Sequence, residues 1–540
     1  MSEVSQPIRS VDVVVVGAGF AGVYALYKLR EIGMTSAVFE AGGGVGGTWY
    51  WNRYPGARCD IESLEYSYQF SEELQQEWSW SERYSPQPEI LAYINHVTDR
   101  FDLRDGIQFN TRVLGATFDG SSERWTVETD QGDVVSAQFC IMATGSLSAA
   151  NMPDIEGRDS FGGSIYHTAR WPHEGINFAG KRVGVIGTGS SGIQSIPLIA
   201  EQAEHLTVFQ RTPNYSVPAG NAPLDPEVER AVKADYATFR KRQHEMPFGA
   251  FADIGPSGGI AVEDSDEARQ ARFEYRWEQG GLPFLASYGD VLFDAQSNEL
   301  AAVFVREKMR EKVHDPAVAE ALTPDTTLGC KRLCADTGYL ETFNRPNVRL
   351  QDVRKTPIER ITPRGIEVGG HEIELDAIVF ATGFDAMTGA LFAMNIRGRA
   401  GLELREKWSA GPRTYLGIGT VGFPNLFTVT GPGSPSVLSN MVPAIEQHVN
   451  WITDCLSYLR SEGLRTIEAS QRAEDDWVEH VNEVANTTLY PSCNSWYLGA
   501  NVPGKPRVFM PYVGFPPYVE KCDEVAARGY EGFELGGARG

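Results

Sequence analysis

One device occurs twice in this 540-residue chain, and it constrains the fold more than any other feature. The β-branched run at residues 11–16 meets Gly17-Ala-Gly19-Phe-Ala-Gly22, and a helical stretch at 23–31 follows. The same order recurs at Arg182-Val-Gly-Val-Ile, which runs into Gly187-Thr-Gly189-Ser190-Ser-Gly192. A glycine turn between a buried strand and a helix brings backbone N–H groups and a positive helix end against a pyrophosphate, with no Cβ in the way. A lone turn of this kind is weak evidence. Strand, turn, helix, strand and acid in order is strong. The strand predicted at 35–39 ends in Glu40, where a carboxylate accepts from the ribose hydroxyls of an adenine dinucleotide.

The same offset from the second turn lands on Gln210, so the ribose acid is missing there. Arg211 and Thr212 follow at once. A guanidinium and a hydroxyl suit a 2′-phosphate that an acid would repel, so the second site favours NADP(H) over NAD. The plain alternative for Arg211 is a solvated charge at a strand end. Pro197 falls inside the helix after this turn and is expected to kink it.

Two further pieces match each other. An apolar strand at 138–142 runs into Ala143-Thr144-Gly145, and one at 377–380 into Ala381-Thr382-Gly383. Each reads as a return strand that closes a nucleotide domain. The fold class is therefore α/β, with two doubly wound, Rossmann-like dinucleotide-binding domains, the second inserted in the first. The first takes residues 1–148 and 384–540, the second 149–222 and 329–383. Residues 223–328 read as a helical insertion capping the second domain, from charged stretches at 225–245, 264–279 and 297–312 whose apolar residues recur at helical spacing. A flexible loop is expected at Gly255 to Gly259.

The formal charge of -23 excludes nucleic acid and anionic membranes as partners of the surface. The uncharged run at 13–27 is too short for a bilayer span, and residues 1–10 carry no apolar signal core. Seven cysteines, an odd number in a large chain, argue against a disulfide framework. Cys330 and Cys334 are the one close pair, without metal-ligand spacing around them, so no metal site is expected. The reading is a cytoplasmic protein with free thiols, a monomer or weak homo-oligomer.

Glycines beside large aromatics at residues 46–60, including Gly47, Trp49 and Tyr54, suit a wall against a flat ring system. A satellite hydrophobic cluster is the alternative. No Cys-x4-Cys pair stands there, so thiol–disulfide chemistry of the flavoprotein reductase kind is not expected. Between the two halves lies Phe161-x-Gly163-x3-His167-x3-Trp171-Pro172.

Taken together these motifs resemble the type I Baeyer–Villiger monooxygenases over nearly the whole chain. The 161–172 pattern matches that family's signature, residues 46–60 its second motif, and the two glycine turns its FAD and NADPH sites. Residues 58–63, 431–441 and 495–507 look more like the phenylacetone and steroid monooxygenases than the cyclohexanone monooxygenases. One departure is Val513-Gly-Phe-Pro-Pro517, where a double glycine is expected and a different loop geometry follows. The resemblance implies an enzyme that uses NADPH, FAD and O2 to insert oxygen beside a ketone carbonyl through a C4a-peroxyflavin, giving an ester or lactone. The implied substrates are aryl, long-chain, cyclic or steroid-like ketones. It implies Arg332 and Asp60 as catalytic residues, the cation and its positioning carboxylate. It adds Lys331 as a second 2′-phosphate ligand and Trp496 as a residue reaching NADP. Ser436, Val437, Leu438 and Met441 would line the substrate cavity. His167 and Trp171 are read as holding the linker between domains rather than as catalytic.

Overall fold

The computed structural model describes residues 9–251 and 258–537. Residues 255–257 of the expected flexible loop lie outside them. Each glycine turn sits on its own sheet. In the first sheet the strand Arg9–Val16 lies parallel between Ser36–Phe39 and Val134–Met142. Four residues in succession, Val13 to Val16, are less than a tenth exposed, because helices cover one face and other chain segments the other. This sheet is mixed: Val134–Met142 turns antiparallel against Arg124–Thr129, which pairs with Val113–Asp119. After the second domain the chain returns, and Leu426–Thr428 pairs with Val134–Met142.

The second sheet is wholly parallel. Its order is Val348–Asp352, His205–Gln210, Arg182–Ile186, Ala377–Phe380 and Ser164–His167. Both return strands therefore lie directly beside the strand that feeds a glycine turn. The helix Ser190–Gln202 runs unbroken through Pro197.

The inserted helices divide between the two cores, which corrects the expectation that all of them cap the second domain. Asp266–Gln279 and Ala295–Glu311 pack Phe273, Phe304 and Val305 into the second core. Pro226–Ala234 and Tyr236–Glu245 instead place Val232, Tyr236 and Phe239 in the first. Arg240 anchors that contact. Its guanidinium is buried and donates to Gln75 Oε1, Ser67 Oγ and Gln243 Oε1 at 2.7 to 3.0 Å.

The reading of free thiols throughout is corrected at one pair. Cys330 is bonded to Cys493, 163 residues away, with Cα atoms 6.0 Å apart. Cys59, Cys140, Cys334, Cys455 and Cys522 are free and buried. At the departure from the family pattern, Gly514 adopts φ 109° and Phe515 begins the helix Phe515–Ala527. Phe515 is buried, and its N–H donates to the Pro247 carbonyl at 2.8 Å.

Candidate active site

The two glycine turns are built alike down to single atoms. Gly17 and Gly187 have φ of 105° and 110°, which side chains rarely adopt. A Cβ on Gly17 would lie 2.5 Å from the Ala143 carbonyl oxygen, and one on Gly187 would lie 2.4 Å from that of Ala381. Gly22 and Gly192 let each helix approach the carbonyls of Gly17 and Gly187. The repeated Ala-Thr-Gly pieces are thus the floors of the two turns. The middle glycines differ in kind. A Cβ on Gly19 would meet nothing closer than 3.4 Å, the Gly47 backbone, and one on Gly189 nothing closer than 3.9 Å. Those faces are open, and no side chain caps the helices Phe20–Glu31 or Ser190–Gln202 at the N-terminus. Their free N–H groups and dipoles fit a pyrophosphate in each turn.

Glu40 is buried at the end of its strand. Its two carboxylate oxygens accept from the N–H groups of Ala18 and Gly42, each at 2.7 Å, which aims the group beside the first turn. At the corresponding place in the second domain Gln210 is buried and donates to the Ala321 carbonyl at 2.7 Å. Thr212 is tied to the second turn, its carbonyl accepting from Thr188 Oγ1 at 3.2 Å. Arg211 is exposed and lies near Lys331. Burial and then the Arg211 charge hold the Lys331 ammonium below its ordinary value, with Asp325 opposing. Two converging cations beside a turn that lacks an acid fit a 2′-phosphate. Ser190 opens the second helix, and its Oγ lies 3.5 Å from Cys334 Sγ.

Asp60 and Arg332 come together as a bidentate pair. Arg332 Nε donates to Asp60 Oδ2 and Nη2 to Oδ1, both at 2.8 Å, and Nη1 donates to the Val437 carbonyl at 3.1 Å. Burial works against the Arg332 charge, but Asp60 outweighs it, and the guanidinium is held well above its ordinary value. Three of the five N–H donors of an arginine are engaged by Asp60 and the Val437 carbonyl, and the Tyr497 hydroxyl takes a further hydrogen bond from the guanidinium. Tyr497 lies against this cation, and burial pushes its hydroxyl up to about 12.

The Val437 carbonyl is aimed by its neighbour. Ser436 has φ 44°, a strained value for a side-chain residue, held by Ser146 Oγ at 2.8 Å. Val437 and Leu438 are buried in one apolar cluster with Met387, Tyr490, Tyr497 and Phe509, and Trp496 packs at its edge. Met441 starts the helix Met441–Ser461 and packs instead against the first core. Trp49 is buried, its indole N–H donating to Tyr66 Oη at 3.1 Å, and Gly47 backs directly onto Gly19. Two surface cavities of about 640 and 390 Å³ contain none of these residues.

His167 does not reach this pair. Its Nδ1 accepts from the Ala169 N–H at 3.0 Å, so Nε2 carries the proton and faces Thr382 Oγ1 at 3.2 Å and the Asn151 carbonyl at 3.4 Å. Thr382 Oγ1 in turn donates to that carbonyl at 2.6 Å. The imidazole thus ties together the two chain crossings between domains, and burial keeps it below its ordinary value. Trp171 is buried against Phe178 in the second core.

Sequence reasoning missed three contacts. Tyr54 Oη donates to Gln194 Oε1 at 2.8 Å, and Gly56 lets its loop reach the Gln194 carbonyl, docking the aromatic motif onto the second domain's helix. Tyr497 stood next to Trp496 with nothing to single it out. The Cys330–Cys493 bond joins segments that no spacing rule connects.

Two nucleotide turns with different ribose ends, and an arginine between them fixed by a carboxylate, define a two-cofactor flavin- and pyridine-nucleotide-dependent oxidoreductase. Residues 14–249 match the family model described as pyridine nucleotide-disulphide oxidoreductase. The solved structure of an oxidised steroid monooxygenase bound to NADP is 55% identical, with TM-score 0.93, covering 97% of this chain and 99% of that one. Acetone monooxygenase (methyl acetate-forming) of Gordonia sp. (strain TY-5) is 43% identical over 97% of this chain and 99% of its own length. Phenazine N-monooxygenase of Lysobacter antibioticus is 42% identical over 97% of each. The chain belongs to the Baeyer–Villiger monooxygenase family, an FAD- and NADPH-dependent group. Among the described residues no helix is long and apolar enough to cross a membrane.

Proposed function

We propose that this chain inserts one oxygen atom of O2 beside the carbonyl of an aryl, long-chain, cyclic or steroid-like ketone, giving an ester or lactone. FAD would be held by Gly17, Gly19, Gly22 and Glu40, with Gly47, Trp49 and Asp60 facing it. NADP(H) would be held by Gly187, Gly189, Ser190, Gly192, Arg211, Thr212 and Lys331, with Arg332 and Trp496 reaching it. Bound FAD supplies the two-electron transfer from NADPH and the reaction with dioxygen.

The observation that carries this reading is the Asp60–Arg332 pair, joined edge to edge by two hydrogen bonds. A guanidinium does not deprotonate and is held flat by Asp60, so its charge stays fixed where negative oxygen develops. The Val437 carbonyl sets the third side of the fork, and Val437, Leu438 and Tyr497 pack together beside it and limit its exposure. Ser436, Val437 and Leu438 would meet the ketone's substituents.

A second reading, oxidation of an aromatic nitrogen, is favoured by the likeness to the phenazine N-monooxygenase. The test is one purified protein offered a steroid ketone, an aryl ketone and an aromatic N-heterocycle, with products identified by mass and NADPH counted. Ester from a ketone, in step with NADPH, supports the proposal. N-oxide formation with no ester from any ketone overturns it. The chain would work as a monomer or weak homo-oligomer, checked by sedimentation.

A further inference from the structure

We propose that the Cys330–Cys493 disulfide is a positioning element of the active site. It latches the segment carrying Trp496 and Tyr497 to the loop carrying Arg332, and its reduction releases that segment. The effect on turnover rests on the oxygenase reading above; the latch itself does not.

The placement makes the argument. Cys330 stands two residues before Arg332, and Cys493 three before Trp496. From Cys493 to Gly514 the chain contains one short turn of helix, Trp496–Leu498, and no strand, so its position depends on anchors at its ends. The later half is well anchored without covalent help. Asn501 Nδ2 donates to the Phe384 carbonyl at 2.7 Å, and Lys505 Nζ reaches Asp385 Oδ1 at 2.5 Å and the Ala386 carbonyl at 2.7 Å. The Asn501 carbonyl accepts from Asn151 at 3.0 Å. Among the described residues the earlier half has one exposed hydrogen bond to the Arg332 side, Ser492 Oγ to Thr327 Oγ1 at 2.9 Å, and the disulfide. Removing the covalent bond leaves Tyr497 held by packing, by the Arg332 guanidinium and by the Met510 N–H, which donates to its carbonyl at 3.0 Å, with no covalent tie to the Arg332 loop. A cross-link closing so long a loop removes conformations that would otherwise have to be ordered when ligand binds.

The pair is also chemically distinct. The other five cysteines are buried without a sulfur partner, and burial pushes their thiols up. Cys330 is buried, while Cys493 is half-buried. A reductant thiolate attacks the Cys493 sulfur, and Cys330 leaves as the thiol after taking up a proton. The reductant's second thiol then frees Cys493, so two electrons and two protons enter the protein. Re-formation by a peroxide runs in two steps: one thiol becomes a sulfenic acid with release of water, and the other displaces a second water to close the bond.

The experiment uses the full-length holoenzyme in four forms: as isolated, reduced with dithiothreitol, reduced and re-oxidised with hydrogen peroxide, and Cys493→Ser. Native alkylation and peptide mass report the thiol state. Limited proteolysis reports residues 489–507 with and without NADP+. Stopped-flow and product analysis report KM for NADPH, the limiting rate of flavin reduction, and ester formed per NADPH. Reduction and Cys493→Ser are expected to open residues 489–507 to protease and to raise KM for NADPH about tenfold. They should lower ester per NADPH while leaving the limiting reduction rate within about twofold. Peroxide restores the wild type and not the variant. Equal KM, coupling and protease protection in reduced and oxidised protein would overturn the proposal, as would an oxidised protein with no 330–493 cross-linked peptide. Absence of ester in every form sinks the oxygenase reading, and the protease pattern still decides the latch.

Discussion

Asp60 and Arg332 lie 272 residues apart in sequence and meet edge to edge through two 2.8 Å hydrogen bonds. The side chains retain 20% and 27% exposure, so the pair is neither a rim contact nor fully dry. Its worth is geometric: the carboxylate fixes the plane in which the remaining donors point. Asp60→Asn keeps one acceptor and loses the charge and half the fork. Ketone oxidation is expected to fall about 10²-fold or more while the protein stays yellow. Arg332→Lys keeps a charge without the fork and should fare little better than Arg332→Ala. Ester formation at the wild-type rate in either arginine variant would remove Arg332 from the chemistry. Coupled assays of ester and hydrogen peroxide read the result.

In the proposed reading the choice of pyridine nucleotide would rest on Arg211 and Lys331, which repel each other in the protein alone. A 2′-phosphate relieves that repulsion, and a bare ribose does not. Each charge-assisted contact is worth about 1.5–3 kcal/mol. Arg211→Ala and Lys331→Ala should each raise KM for NADPH by about 10- to 100-fold and leave KM for NADH nearly unchanged. Initial rates with the two coenzymes measure the ratio; an equal rise with both would mean that the residues do not read the phosphate.

The twin turns permit a paired test. Gly17→Ala places a methyl 2.5 Å from the Ala143 oxygen, and Gly187→Ala places one 2.4 Å from the Ala381 oxygen. Neither contact is tolerable without backbone movement, and both positions have φ that disfavours alanine. The first variant should be isolated colourless, its absorbance near 450 nm absent on the order of completely. The second should bind flavin normally and fail to be reduced by NADPH. If Gly187→Ala also loses its colour, the two turns are not separate sites.

What could be read in the sequence follows from which contacts are local. The glycine turns, Glu40 and the missing acid at Gln210 are short-range features, since a βαβ unit fixes their offsets. The Ala-Thr-Gly floors were visible as repeats, but their carbonyl contacts with Gly17 and Gly187 needed coordinates. Apolar periodicity at 226–245 announced a buried face and not its partner, so the split of the insertion between two cores was illegible. Within the same charged stretch Arg240 is buried, and nothing local marks it. Asp60 with Arg332 was reached through family likeness, because no periodicity links them. The partner of Cys330 had no such guide. The same limit hid Tyr54 on Gln194, a side-chain contact across the domain boundary.

Glu446 gives the protein a pH dependence that lies away from the chemistry. One of its oxygens accepts from the N–H groups of Gln69 and Phe70 at 2.9 and 3.0 Å, and the other is buried without a partner among the described residues. Burial raises its carboxyl from 4.5 to about 7, although those N–H groups and Arg240 favour the charged form. Above its ordinary value the unfolded chain has released this proton while the folded protein still holds it. Between these two values the folded state binds more protons, so stability falls as pH rises. The cost is complete above the folded value and amounts to at most about 3 kcal/mol. Glu446→Gln keeps an oxygen for both N–H groups and carries no charge at any pH. Its melting temperature relative to wild type should therefore climb by a few degrees, about 2–5 °C, between pH 5 and 8. The neighbouring His448 does not compensate, because burial lowers it to about 3 and its Nδ1 accepts from the Thr430 N–H, so it stays neutral across that range. Parallel melting curves for variant and wild type from pH 5 to 8 would show that Glu446 ionises in the fold as freely as in the unfolded chain.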